Sequence, residues 1–366
     1  MENLLAIVVS LVILVAGAEL LVRGSAKLAI AVGISPLVVG LTVVAFGTSS
    51  PELAASAGAA ITGNGAVAVG NVVGSNIYNV LLILGAGAVI APLVVSSRLV
   101  IADVPIMVGV SFLAWFLASD GTLSLPDGVV LVAGVVTYTI VTIRAGREEH
   151  GEAEEEYREA FAPKRTDSTP FQVLLIVIGL GLLVVGSQIL VGGATGLARS
   201  MGVSELVIGL TIVAVGTSTP ELITTVVAAI RGQRDIAVGN VVGSNIFNLL
   251  AVLGVGGILA PGGLAVPAEA IRFDMAVMTA VAIACLPIFF TGHEVRRWEG
   301  VLLLAYAVLY TAWLIMGASG HPVTDTLATA MTVFVLPLTV ITLATVSVRE
   351  WRRRRRGIRP GSPAAA

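Results

Sequence analysis

Two short stretches hold the residue types in this chain best suited to chemistry. They are Ala45-Phe46-Gly47-Thr48-Ser49-Ser50-Pro51-Glu52 and Ala214-Val215-Gly216-Thr217-Ser218-Thr219-Pro220-Glu221. In each, the alanine, threonine, serine and glutamate follow i, i+3, i+4, i+7 spacing, so a helix would set them on one face. That face carries only oxygen: a main-chain carbonyl, two hydroxyls and a carboxylate. Hard oxygen donors without imidazole or thiolate suit Na+, Ca2+ or Mg2+ and disfavour zinc or copper. The proline adds to this. Pro51 and Pro220 have no N–H for the carbonyl four residues earlier, at Gly47 and Gly216, and their rings push it aside. A break near 47–51 should leave carbonyls around 45–48 short of donors, and in hydrocarbon such groups must find protein, water or an ion.

A second motif follows each of the first. Gly70-Asn71-Val72-Val73-Gly74-Ser75-Asn76-Ile77-Tyr78-Asn79 matches Gly239-Asn240-Val241-Val242-Gly243-Ser244-Asn245-Ile246-Phe247-Asn248. Ser75 with Asn79, and Ser244 with Asn248, are i, i+4 neighbours. Asn71, Asn76, Asn240 and Asn245 are flanked by glycine or lie close to one, and are expected to cap or brace the broken helix ends. Pooled, the set offers two carboxylates, which balance one divalent cation. A lone membrane glutamate can be a structural hydrogen-bonding group. Two in register, each one residue after a proline and four after a threonine, point to an ion path.

The elements that must position these residues are membrane helices. The chain has 366 residues, 56% hydrophobic and 12% charged, with mean hydropathy +0.98. A soluble domain is roughly 25% charged. The net charge of −2 is too small to imply a nucleic-acid partner. A single cysteine, Cys285, excludes a disulfide framework and a Cys-based metal site. Taking about 20 apolar residues per span, eleven segments are expected: 3–23, 35–62, 67–93, 98–118, 125–144, 171–196, 204–230, 236–259, 268–290, 297–317 and 324–348. The first lacks the basic residues of a signal peptide and is read as retained.

The segments repeat. Offset by 169, residues 32–80 align without a gap to 201–249, with about 30 of 49 positions identical. Each half holds five spans. Five is odd, so the second half enters from the opposite side, a pattern found in secondary transporters. The expected fold is an all-α polytopic membrane protein: two inverted-topology repeats of five transmembrane helices plus one extra C-terminal helix. The first repeat covers 1–144, an acidic linker 145–170, the second repeat 171–317, the extra helix 324–348 and a basic tail 349–366. With the N-terminus outside, the Lys and Arg of 23–27, 98, 144–165, 231–234, 296–297 and the tail fall inside, and only Arg199 and Arg272 outside. That follows the positive-inside bias and makes the linker and C-terminus cytoplasmic. Glu19 is expected to pair with Arg23. Asp103 and Asp274 are expected to bond free N–H groups at helix starts.

The paired Gly-Thr-Ser-x-Pro-Glu and Gly-Ser-Asn-Ile-x-Asn motifs resemble the alpha repeats of the sodium/calcium exchanger family, within the calcium/cation antiporter superfamily. The resemblance covers residues 1–317. It implies that Glu52 and Glu221 are the principal Ca2+ ligands. It implies that Thr48, Ser49, Ser75, Thr217, Ser218, Ser244 and the carbonyls of Ala45 and Ala214 serve flanking Na+ sites, with Asn79 and Asn248 bordering the centre. Members of that family often carry Asp where this chain has Asn248, so this site has two acids rather than three. Proton-coupled relatives tend to have Gly-Asn rather than Gly-Thr in the first motif, which favours sodium here.

The function these features imply is secondary active exchange of Na+ for Ca2+ across the cell membrane by alternating access, with the first and sixth helices as the moving pair. A Ca2+/H+ or K+-dependent exchanger is the near alternative and a cation channel a distant one. No enzyme activity, no resident cofactor and no obligate protein partner are expected. Ca2+ and Na+ are the substrates, in a lipid bilayer.

Overall fold

A computed structural model of the chain describes residues 2–148, 169–202 and 214–318, with 344 and 348 as isolated positions. The expected eleventh helix, the basic tail, most of the acidic linker and residues 204–213 of the seventh segment lie outside the described residues.

The described chain is a bundle of apolar helices. In order they are α1 Glu2–Val32, α2 Pro36–Thr48, α3 Ser50–Ile61, α4 Gly65–Ile90, α5 Leu99–Asp120, α6 Leu125–Gly146, α7 Thr169–Ser200, α8 Ala214–Thr217, α9 Thr219–Ile230, α10 Arg234–Leu259, α11 Ala270–Phe290 and α12 Arg297–Gly317. Among the described residues, eight are long and apolar enough to cross a membrane. The pair α2 and α3 makes a ninth span, bent by 45°. The chain is therefore a multi-pass membrane protein. Ser35 caps α2 through its hydroxyl, 3.4 Å from the Val38 N–H, and Pro36 opens the helix where no N–H is missed.

The span α1 runs nine residues beyond the expected apolar segment, which ended at residue 23. Its last turns continue because they are packed: Ser25, Ala26 and Ala29 are buried, and a β-carbon on Gly24 would lie 3.0 Å from the Gln172 carbonyl oxygen of α7. Hydropathy sees only the apolar run, whereas glycine-mediated contact extends the helix. Down the same interface Gly17 meets Gly179, Gly186 meets Leu14 and Gly193 meets Asn3. Residue numbers on α1 rise as those on α7 fall, so the two helices are antiparallel. They are also repeat equivalents, since Gly17 aligns with Gly186 and Gly24 with Gly193.

The halves interlock elsewhere by the same rule. Gly85 of α4 packs on Gly300 of α12, where a β-carbon would lie 3.1 Å from the Gly300 carbonyl oxygen. Its equivalent Gly254 of α10 packs on Gly128 of α6 at 3.0 Å. Each half thus lays its last helix against the central helix of the other. Two antiparallel strand pairs repeat the exchange. Strand β1 Leu93–Val94 pairs with β4 Glu294–Val295, and β2 Thr122–Leu123 with β3 Leu264–Ala265. The spans α4 and α10, which carry the Asn-rich motifs, are the most buried of all.

Candidate cation site

The two Pro-Glu motifs break their helices identically. At Ser49 the backbone sits at φ −82°, ψ 6°, and at Ser218 at φ −85°, ψ 10°, with proline entering the next helix in its first turn. Both are bridge-region conformations, common where active residues sit. Carbonyls around 45–48 were expected to be short of donors, and several of them find one. The Ala45 carbonyl accepts the Ser49 N–H at 3.0 Å and, more weakly, the Thr48 hydroxyl at 3.4 Å. The Phe46 carbonyl accepts the Ser50 hydroxyl at 2.9 Å, and the Gly216 carbonyl accepts Ser187 at 2.7 Å. Hydroxyls in and beside the motif absorb part of what proline releases. Ala214, equivalent to Ala45, lies in the helical stretch 214–217.

The carboxylates are held crosswise. Ser49 Oγ donates to Glu221 Oε1 at 2.9 Å, and Ser218 Oγ donates to Glu52 Oε1 at 3.0 Å. Each acid is thus fixed by the serine that precedes the other acid by three residues. Glu52 is 0% exposed and Glu221 1%. Among the described residues, no basic side chain pairs with either. In each, Oε2 is buried and accepts no hydrogen bond. Two desolvated carboxylates without counter-charge are expensive in a membrane interior. The arrangement is one that a cation completes.

The second motifs supply more oxygen. Ser75 Oγ lies 3.1 Å from Ser218 Oγ, so it joins the Glu52 chain. The Ser244 hydroxyl and the Oδ1 atoms of Asn79 and Asn248 are buried and accept or donate nothing. Both asparagines begin π-helical stretches, Asn79–Leu84 and Asn248–Val252, which alter the helical twist at the ligand-bearing turn. The bracing role expected of Asn71 and Asn240 is present in the geometry. Asn71 donates to the Glu52 carbonyl at 3.3 Å and to Ser56 at 2.9 Å; Asn240 donates to the Glu221 carbonyl at 3.4 Å and to Thr225 at 3.1 Å. Their carbonyl oxygens accept Thr217 at 3.4 Å and Thr48 at 3.0 Å, so these threonines also face the opposite repeat. All twelve residues picked from sequence therefore lie on the two breaks and the two central helices.

Three features were not legible. Ser187 aligns with Ala18, so repeat matching hides it. Ser56 and Thr225 share a hydroxyl but not an identity. Met107 and Met278 sit in helices read only as apolar, yet their sulfurs accept from Asn245 and Asn76. The acids outside the motifs differ from expectation too. Asp103 and Asp274 do not cap helices; they sit inside continuous spans and accept from Tyr138 at 3.1 Å and Tyr310 at 3.3 Å, while Arg98 lies 3.6 Å from Asp103. A π-helical turn before each acid carries the helix through, leaving no free N–H to cap. Glu19 pairs with Arg23 as expected and also with Arg231 of the other repeat at 2.8 Å.

Comparison with known proteins gives a consistent result. The family model described as sodium/calcium exchanger protein matches residues 2–144 and 171–316. CaxA of Alkalimonas amylolytica is 38% identical over 309 residues, covering 83% of this chain and 96% of its own. The sodium/calcium exchanger MaX1 of Methanosarcina acetivorans is 33% identical over 347 residues, covering 86% and 98%. The structure of the sodium-calcium exchanger NCX_Mj soaked with Na+ and Ca2+ superposes with TM-score 0.74 at 31% identity, covering 85% of this chain and 98% of that one. MaX1 and NCX_Mj carry the name sodium/calcium exchanger, and CaxA is named as an antiporter. The chain belongs to the sodium/calcium exchanger family.

Proposed function

We propose that this protein is a secondary antiporter exchanging Na+ for Ca2+ across the plasma membrane by alternating access. The observation that carries the reading is the pair of buried carboxylates, Glu52 and Glu221. Each is braced by a serine of the opposite repeat, and each has one oxygen that accepts nothing. Glu52 and Glu221 hold Ca2+, with the Oδ1 atoms of Asn79 and Asn248 beside it. Thr48, Ser49, Ser75, Thr217, Ser218 and Ser244, with the carbonyls of Ala45 and Ala214, bind Na+ on either flank. Because the sets share atoms, Na+ and Ca2+ compete, and each expels the other.

The carrier reorients loaded. The antiparallel, glycine-packed pair α1 and α7 supports a sliding motion of equivalents past the fixed centre. Two carboxylates neutralise one Ca2+ or two Na+, so a third Na+ would make each cycle electrogenic. The Lys and Arg distribution supports an external N-terminus and cytoplasmic linker and tail.

The test is Ca2+ uptake into vesicles carrying the purified chain. Uptake should require an outward Na+ gradient, survive a proton uncoupler and proceed without K+. Uptake that ignores Na+ and collapses with the pH gradient would make it a Ca2+/H+ exchanger. Steady flux without any counter-ion would make it a channel.

A further inference from the structure

Four buried asparagines form a lattice of fixed polarity beside the carboxylates. Asn79 Nδ2 donates to Asn245 Oδ1 at 3.0 Å, and Asn248 Nδ2 donates to Asn76 Oδ1 at 3.1 Å. These bonds are repeat equivalents, so the same choice of amide orientation is made twice. The outer amides are anchored in turn. Asn245 Nδ2 donates to Met107 Sδ at 3.5 Å; Asn76 Nδ2 donates to Met278 Sδ at 3.8 Å and to the Asn245 carbonyl at 3.2 Å. All four side chains are at most 3% exposed.

An amide has a donor end and an acceptor end, and turning it over exchanges them. Were Asn245 turned over, its NH2 would face the NH2 of Asn79 and its oxygen would face a sulfur lone pair. Both contacts would be lost in a place water does not reach. The Met107 sulfur therefore sets Asn245, the Met278 sulfur and the Asn245 carbonyl set Asn76, and these outer amides set the inner ones. The consequence is that Oδ1 of Asn79 and of Asn248 accept no hydrogen bond. Without the lattice either inner amide is free to present hydrogens to a cation.

We infer that Asn76 and Asn245, held by Met278 and Met107, are positioning residues that keep the oxygens of Asn248 and Asn79 aimed at the bound cation. This rests on the site reading above. Met107 and Met278 are the ends of the chain of orientation.

The experiment measures Ca2+ half-saturation of Na+-driven uptake by the full chain in vesicles. Met107→Leu conserves volume and is tolerated in a core, so it removes the sulfur acceptor without endangering the fold. Asn245→Leu removes the amide itself. Both should weaken half-saturation about three- to ten-fold, the range for one lost hydrogen bond. In an Asn79→Asp background the same changes should move it by less than about twofold, because a carboxylate presents oxygen whichever way it turns. Two results overturn the inference while the exchanger reading stands: unchanged half-saturation in both single variants, or an undiminished loss in the Asn79→Asp background, which marks a merely structural role. A wild-type chain that takes up no Ca2+ under a Na+ gradient overturns the exchanger reading itself, and the positioning role falls with it.

Discussion

Replacing Glu52 or Glu221 by Gln should abolish Ca2+ exchange while sparing part of the Na+ interaction. Glutamine keeps the shape and retains an oxygen for the crosswise serine, Ser218 on Glu52 or Ser49 on Glu221. What it removes is charge at the second oxygen, which in both acids is buried and accepts nothing. For buried sites at an effective dielectric of about 20, one pair of unit charges about 4 Å apart interacts by roughly 4 kcal/mol. A divalent ion therefore forfeits on the order of 8 kcal/mol and a monovalent ion about half of that. Converted at 1.4 kcal/mol per decade, Ca2+ affinity should fall by about five or six orders of magnitude and Na+ affinity by about three. Equilibrium 45Ca2+ binding and Na+-driven 45Ca2+ uptake read the first, and Na+/Na+ exchange at high Na+ reads the second. Glu52→Asp, which keeps the charge, should retain measurable Ca2+ binding. Ca2+ affinity within about tenfold of wild type in either Gln variant would refute the two-carboxylate site.

Other expectations concern the moving interface and its rim. In Gly179→Ala the new carbon would lie 2.7 Å from both the Gly17 carbonyl oxygen and the Leu21 nitrogen, main-chain atoms that cannot step aside. Overpacking of this kind costs about 1–3 kcal/mol, so thermal stability and exchange rate should both drop. Gly181→Ala on the same helix meets nothing within 4 Å and should be neutral or stabilising, and equal damage from the two would refute the close-packing argument. Ser187→Ala leaves the Gly216 carbonyl without its side-chain donor; stability should fall by about 1 kcal/mol and turnover should slow at near-normal Ca2+ half-saturation. An unchanged melting point and turnover would show that α7 is not tied to the broken helix there. Arg231→Ala removes a half-exposed ion pair with Glu19. Its effect on melting should stay within about 1 kcal/mol and vanish at high salt, with exchange unaltered; a larger, salt-insensitive loss would contradict this.

Much of the site was readable because the repeat made it so. Ala45, Thr48, Ser49 and Glu52 share a face by spacing alone, and their copies at 214, 217, 218 and 221 said the face was used twice. Spacing could not say that Ser49 serves the other acid, because that bond joins residues 172 apart in sequence. Nor could it give the polarity of the asparagine lattice, since Asn donates and accepts equally well and the tie is broken by Met107, Met278 and the Asn245 carbonyl. Helix ends were least legible. Hydropathy stops α1 at residue 23, but the helix, with Ala26 and Ala29 buried, continues to Val32. Asp103 and Asp274 misled because an acid after an apolar start resembles a cap, whereas Tyr138 and Tyr310 lie more than thirty residues away in sequence. Ser187 stayed hidden because its usefulness depends on a carbonyl that Pro220 frees on another helix.

One centre between the repeats should bind Ca2+ and Na+ in competition. Diffraction from crystals soaked first in Ca2+ and then in rising Na+ tests it most directly. Ca2+ should give a single strong peak bounded by Glu52, Glu221, Asn79 and Asn248. High Na+ should replace it with weaker peaks against Thr48, Ser49, Ser75, Thr217, Ser218 and Ser244. A Ca2+ peak elsewhere in the chain, or one that persists undiminished at saturating Na+, would contradict it.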